Sequence, residues 1–131
     1  MTTPARILST PEADALMARL AARHGALMFH QSGGCCDGSA PMCYPAGEFR
    51  VGGQDVLLGL VGGAGDIPVW IGAAQFDYWR HTQVTIDVVP GRGAGFSLEG
   101  PEGFRFIVRS RVFTDDEATA LAAAGEPTRG E

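Results

Sequence analysis

Four apolar residues recur at helical spacing near the start of the sequence: Ala13, Leu16, Met17 and Leu20. Residues three and four apart share one helix face, so this pattern predicts an amphipathic helix. Thr10 is a suitable N-cap, Pro11 suits the first helical position and Glu12 suits the positive end of the helix dipole. Gly25 is expected to end this helix.

A second helix is predicted near the end of the sequence. Thr114 is followed three residues later by Glu117, the spacing of a capping box, in which each side chain bonds the backbone of the other residue. Gly125 supplies the stop signal.

Between these helices the pattern changes to short apolar runs and strict alternation, interrupted by glycine-rich turns. In Gln83 to Val89, alternate residues are apolar, which is typical of a half-buried strand. Gly52 and Gly53 predict a hairpin turn. The segment from Gln75 to His81 suits either a helical turn or a strand. The other predicted strands cover residues 26–31, 48–51, 56–61, 68–71, 94–99 and 103–113.

The predicted fold is mainly β, of the α+β class, with a helix at each end. Short strands with many glycine turns favour a sandwich or a distorted barrel. A length of 131 residues suits a single domain over 1–131, with a core at about 10–125.

Charge and cysteine content narrow the function classes. The net charge is −5 and all ten basic residues are arginine, without a basic run, which argues against nucleic-acid binding. No signal peptide is evident, and no stretch approaches the about 20 apolar residues of a membrane span. Three cysteines, two of them adjacent, argue against a disulfide framework and for a reducing cytoplasm.

The segment HQSGGCCDGSAPMCYP, from His30 to Pro45, holds all the cysteines of the chain. Thiolate and imidazole groups are the usual ligands of zinc, iron and iron–sulfur clusters. Glycines 33, 34 and 38 permit the backbone angles that would turn the cysteines toward one point. The candidate ligands are Cys35, Cys36, Cys43, His30 and His81.

Two aspartates are candidate supports for these ligands. Asp37 follows the paired cysteines directly. Asp77 lies four residues before His81, so a helical turn would bring its carboxylate to the imidazole and hold the ring in place. The alternative is that the aromatic residues around Asp77 are packing and His81 is solvated.

Other interpretations of the cysteine segment stay open. The cysteines can be small buried apolar residues, or redox-sensitive thiols of a metal-free interaction protein. A cysteine–histidine enzyme would need the two groups together in space, which no local motif indicates. We therefore favour a non-enzymatic role, with a small thiol- or metal-dependent enzyme acting on aldehydes as an alternative.

Three long motifs carry a resemblance to a bacterial family, domain-of-unknown-function family seven-seven-nine. They are HGALMFHQSGGCCDGSAPMCYP, FDYWRHTQVTIDVVPGRGAGFSLE and RFIVRSRVFT. Members of this family are often encoded beside aldehyde or alcohol dehydrogenases, so the resemblance implies an accessory role and a dehydrogenase partner.

A more distant resemblance is to the HesB-like A-type iron–sulfur carriers. Cys36-Asp37-Gly38 is similar to their Cys-x-Gly, and GAGFSLEGPEG, with Pro101, is similar to their Gly-x-Gly-Phe segment. This resemblance implies a HesB-like distorted β-sandwich or barrel and a homodimer. The carriers complete their metal site with a Cys-x-Cys tail, whereas this sequence has no cysteine after Cys43.

Together, the cysteine segment and the two resemblances lead us to expect a metal- or iron–sulfur-binding accessory protein. Iron, zinc or a cluster would be held by the ligands named above.

Overall fold

The fold is described from a computed structural model, which covers residues 4–31, 41–47, 51–91, 98, 100–125 and 127. The described part contains strands, three α-helices and a short 3₁₀ turn at Gly100–Glu102. In chain order the elements are β1 (Ile7–Ser9), α1 (Pro11–His24), β2 (Leu27–Gln31), β3 (Met42–Pro45), β4 (Asp55–Val61), β5 (Ile67–Gly72), α2 (Ala73–Trp79), β6 (Thr82–Pro90), β7 (Phe104–Val112) and α3 (Asp115–Ala124).

The strands form two sheets. The smaller sheet has the order β1-β6-β7, with β1 parallel to β6 and β7 antiparallel to it. The larger sheet has the order β3-β2-β5-β4, with β2 parallel to β5 and antiparallel to β3. The predicted α+β class is confirmed, and the described strands form two open sheets with no closed barrel among them.

One hydrophobic core joins the two sheets. The ring of Phe29 on β2 meets the ring of Phe106 on β7 edge to face, with centroids 5.0 Å apart, and both side chains are fully buried. This is the favoured geometry for two aromatic rings, because the positive edge of one faces the negative face of the other. Helix α1 adds the predicted apolar stripe to the same core: Ala13, Leu16, Met17 and Leu20.

The helix predictions are confirmed. Thr10 caps α1, with Pro11 at its start, and Gly25 closes it. Thr114 and Glu117 form the expected capping box of α3. The ambiguous segment 75–81 proves to be helical only as far as Trp79, the end of α2. None of the described helices is long and apolar enough to span a membrane.

Five of the predicted strands correspond to β2, β4, β5, β6 and β7. The sequence did not reveal β1 and β3, which are short. In the predicted hairpin, Val51 is not in a strand, and residues 48–50 lie outside the described part of the chain. Most of the predicted strand at 94–99 also lies outside it.

Candidate functional site

His30 lies on β2, near the middle of the four-stranded sheet. Side chains alternate across a strand, and Phe29 enters the core, so His30 faces the opposite side of the sheet, as the sequence predicts. The register places one residue of each strand in a row on that face: Met42, His30, Trp70 and Leu57. His30 is nevertheless 5% exposed, so its polar ring sits among apolar neighbours and away from solvent.

Asp55, the first residue of β4, is the partner of this imidazole. Its Oδ1 lies 2.7 Å from Nε2 of His30, and its side chain is only 14% exposed. Strand β5 separates β2 from β4, so the two side chains bridge two strand spacings, about 9–10 Å. Gly72, opposite Asp55 on the intervening strand, has no side chain to stand between them.

The turn before β4 fixes the second carboxylate oxygen. The backbone N–H of Gly52 donates to Oδ2 of Asp55 at 2.9 Å, while the N–H of Asp55 donates to the carbonyl of Gly52 at 3.0 Å. Burial alone would raise the pKa of Asp55, but the hydrogen bonds from Gly52 and His30, with the charge interaction with His30, outweigh it. The pKa of Asp55 therefore lies below its ordinary value.

An ionised Asp55 determines the role of each imidazole nitrogen. A carboxylate only accepts hydrogen bonds, so Nε2 of His30 must be the donor. In the neutral ring the proton then lies on Nε2 and the lone pair on Nδ1. A carboxylate that fixes one nitrogen of an imidazole in this way is the usual support of a metal-binding or proton-transferring histidine.

Three of the predicted site residues, Cys35, Cys36 and Asp37, lie outside the described residues. Their place in the chain is still informative. Residues 32–40 connect β2 to β3, and His30 is the register partner of Met42. The cysteine-containing connection therefore leaves β2 and enters β3 at the same end of this strand pair, next to His30.

Cys43 lies on β3 but faces the other side of the sheet. It is fully buried in the core, opposite Phe29 in the register, and its carbonyl accepts the N–H of Leu98 at 3.0 Å. Directly opposed residues of antiparallel strands share a face. The Cys43 thiol and the His30 ring are thus on opposite faces of one sheet, and the structure does not bring them together.

His81 and Asp77 lie elsewhere in the fold. His81 is exposed, between α2 and β6, and its carbonyl accepts the N–H of Phe113 at 2.9 Å. Asp77 meets Arg80 at 3.4 Å with a side chain that is 73% exposed. Helix α2 ends before His81, so the continuous helical turn that would join Asp77 to His81 is absent at this point.

The described residues contain no group of three or more histidine, cysteine or acidic side chains placed to hold a metal ion. The residue that sequence reasoning missed is Asp55. A local signal existed, since a lone carboxylate opens an apolar run, DVLLGLV, after a glycine turn. Its pairing with His30 has no local signal, because it depends on the strand order.

Comparison with known proteins gives a family and nothing finer. Neither the search of curated proteins nor the search of solved structures found a match. Residues 16–112, which include His30, Asp55 and the cysteine segment, match the family described as "Domain of unknown function (DUF779)". This match covers well over half of the sequence, and the chain belongs to that family.

Proposed function

We propose that this chain binds a thiolate-preferring metal, iron or zinc, alone or in an iron–sulfur cluster. Cys35, Cys36 and His30 are the proposed ligands, and the metal would serve an accessory role rather than catalysis by this chain alone. The observation that carries the proposal is the contact of the buried His30 with the 14% exposed side chain of Asp55, at the base of the cysteine-containing connection.

The charge of this pair supports metal binding. A carboxylate that is largely removed from water costs free energy, and pairing with an imidazole offsets only a part of this cost. The His30–Asp55 pair lies on a half-buried face that is otherwise apolar, where apolar side chains would pack without that cost. We therefore infer that the pair has a role beyond packing. An ionised Asp55 would make the His30 ring a better electron donor and hold it in one orientation. A cation on Nδ1 would also offset the negative charge that Asp55 brings to this face.

Two cysteines and one histidine give three protein ligands. Such a site leaves a position for a further group, unlike a closed structural site with four protein ligands. Cys43 and His81 are less suited to it, because one lies on the core face and the other is exposed between α2 and β6. A second copy of the chain in the proposed homodimer would be another source of the fourth ligand.

The wider role rests on resemblance. Similarity of the Cys36-Asp37-Gly38 segment to the A-type carriers supports an iron–sulfur cluster over a lone ion. The absence of a cysteine after Cys43 argues against an identical ligand set. The family resemblance suggests service to an aldehyde or alcohol dehydrogenase in the cytoplasm.

The test is metal and acid-labile sulfide content of untagged protein purified without oxygen. We expect about one metal or cluster per chain or per dimer, lost in Cys36→Ser and reduced but still present in His30→Gln. Asp55→Asn should weaken metal affinity by about 10–100-fold, because it removes only the support of the imidazole. His81→Gln is the matched control and should keep full content. A folded protein without metal, with reactive thiols, would overturn the proposal.

The His30–Asp55 pair also favours a second candidate, a thiol enzyme. An aspartate that orients a histidine beside a cysteine is the arrangement that activates a thiol nucleophile. The thiolate would add to the carbonyl carbon of an aldehyde, and the histidine would return the thiol proton to the resulting oxygen. Turnover by purified, metal-free protein, lost in His30→Gln, would favour this candidate over the accessory role.

A further inference from the structure

A separate pocket is lined by one face of α1 and by residues of β6 and β7. It has a volume of about 350 Å³, toward the lower end of the usual range for small-molecule sites. None of His30, Asp55 and Cys43 lines it, so a ligand here would be distinct from the proposed metal. The described residues that line it are Glu12, Ala15, Leu16, Arg19, Val88 and Phe104.

The apolar part of this pocket is a partly covered region of the core. Val88 and Phe104 pack against the core but are only partly buried. They are diagonal neighbours in the sheet, because Val88 is paired with Phe106, two residues along β7 from Phe104. On the helix, Leu16 is 1% exposed, while Ala15 is exposed and carries only a methyl group. The helix therefore leaves room for another apolar group at Ala15.

Two side chains of opposite charge flank this apolar part along the helix. Glu12 and Arg19 are seven positions apart in α1, so they share one face and are separated by about 10 Å along the helix axis. Ala15 and Leu16 lie between them on that face. Because all four residues line the pocket, it has a carboxylate toward one end and a guanidinium toward the other.

Both charges are available to a ligand. Within the described part of the chain, no hydrogen bond or ion pair engages the exposed carboxylate of Glu12. Nε of Arg19 lies 3.9 Å from Oε1 of Glu102, which is too long for a hydrogen bond. Nη1 of Arg23 binds the other oxygen of Glu102 at 2.7 Å. Two guanidinium groups and one carboxylate thus leave a net charge of +1 at this end.

We propose that this pocket binds a small linear zwitterion, with an ammonium group at one end, a carboxylate at the other and an apolar chain between them. The ammonium group pairs with Glu12. The carboxylate pairs with Arg19, because a guanidinium presents parallel N–H groups that match two carboxylate oxygens. The chain covers Val88 and Phe104. A dicarboxylate of similar length would instead place a like charge against Glu12.

The probe is 6-aminohexanoate, titrated into the full chain by calorimetry and followed by ligand-observed NMR. We expect saturable binding with a Kd of the order of 1 mM. Adipate, a dicarboxylate with the same number of carbons, should bind about three-fold or more weakly, because an exposed ion pair is replaced by a repulsion. Glycine, a zwitterion without the chain, should not saturate in the same concentration range, since it buries almost no apolar surface.

One pair of variants tests the space. Ala15→Leu fills the pocket from an exposed helical position and takes the place of at least two methylene groups of the ligand. Each buried methylene is worth up to roughly four-fold in affinity, so 6-aminohexanoate should bind about ten-fold or more weakly. Ala18→Leu is the matched control and should keep the affinity, because Ala18 is exposed on the same helix and does not line the pocket.

A second pair of variants tests the charges. Glu12→Gln should reduce the preference for 6-aminohexanoate over adipate, and Arg19→Met should weaken the binding of both. No saturable binding would overturn the proposal. So would equal binding of adipate by the unaltered chain, or an affinity that Ala15→Leu changes no more than Ala18→Leu does.

Discussion

Replacing Asp55 with alanine removes two acceptors at once. The Nε2–H of His30, a residue that is 5% exposed, loses its acceptor on Asp55 at 2.7 Å, and the N–H of Gly52 loses its acceptor at 2.9 Å. An unsatisfied buried donor costs about 1–3 kcal/mol, and an ordinary hydrogen bond contributes about 0.5–1.5 kcal/mol. We therefore expect Asp55→Ala to lower the free energy of unfolding by roughly 2–4 kcal/mol.

A double-mutant cycle isolates the contribution of the pair. In a His30→Leu background no imidazole is left unsatisfied, so Asp55→Ala should cost only about 1 kcal/mol, from the Gly52 contact. The assay is urea unfolding at neutral pH, followed by circular dichroism and by tryptophan fluorescence. Trp70 is next to His30 in the register, so a part of the fluorescence signal reports on this site. An equal cost of Asp55→Ala in both backgrounds would refute the reasoning.

Two further predictions concern the rest of the fold. The bidentate contact of Arg111 with Glu117 in the α3 capping box lowers the pKa of Glu117 to about 2 from 4.5. The contribution of this contact to the free energy of unfolding should be complete above pH 4.5 and disappear as the pH falls toward 2. In Glu117→Gln, this part of the pH dependence of unfolding should be absent. Gly59→Ala would place a Cβ 2.8 Å from Cγ2 of Ile7 at a φ of +154° and should cost about 1–3 kcal/mol in urea unfolding. Gly63→Ala, which meets no atom within 4 Å, should stay within about 0.5 kcal/mol, and equal effects of the two changes would contradict the packing argument.

The helices were predictable because their signals are local. A cap, a first-turn proline and an apolar stripe lie within a few residues of each other, as at Thr10 and Pro11. Strands β1 and β3 lack such signals. Ile7 is in a strand because it pairs with Val84, far along the chain, and Met42 because it pairs with His30. Non-local pairing of this kind cannot be read from periodicity in three or four residues.

The candidate site was predictable only in part. Alternation along β2 correctly gave the direction of His30, once Phe29 was assigned to the core. The spacing of Cys36 and Cys43 predicts a shared point, and this stays a prediction because Cys36 lies outside the described residues, while Cys43 lies on the core face of β3. Asp55 became visible only through the strand order, which brings β4 within reach of β2 across Gly72.

X-ray absorption spectroscopy at the metal edge tests the central claim most directly. The sample is untagged protein purified without oxygen, beside His30→Gln prepared in the same way. With zinc we predict sulfur ligands at about 2.3 Å together with nitrogen at about 2.0–2.1 Å, and loss of the nitrogen shell in the variant. A metal with only oxygen and nitrogen neighbours, or a nitrogen shell that survives His30→Gln, would contradict the account.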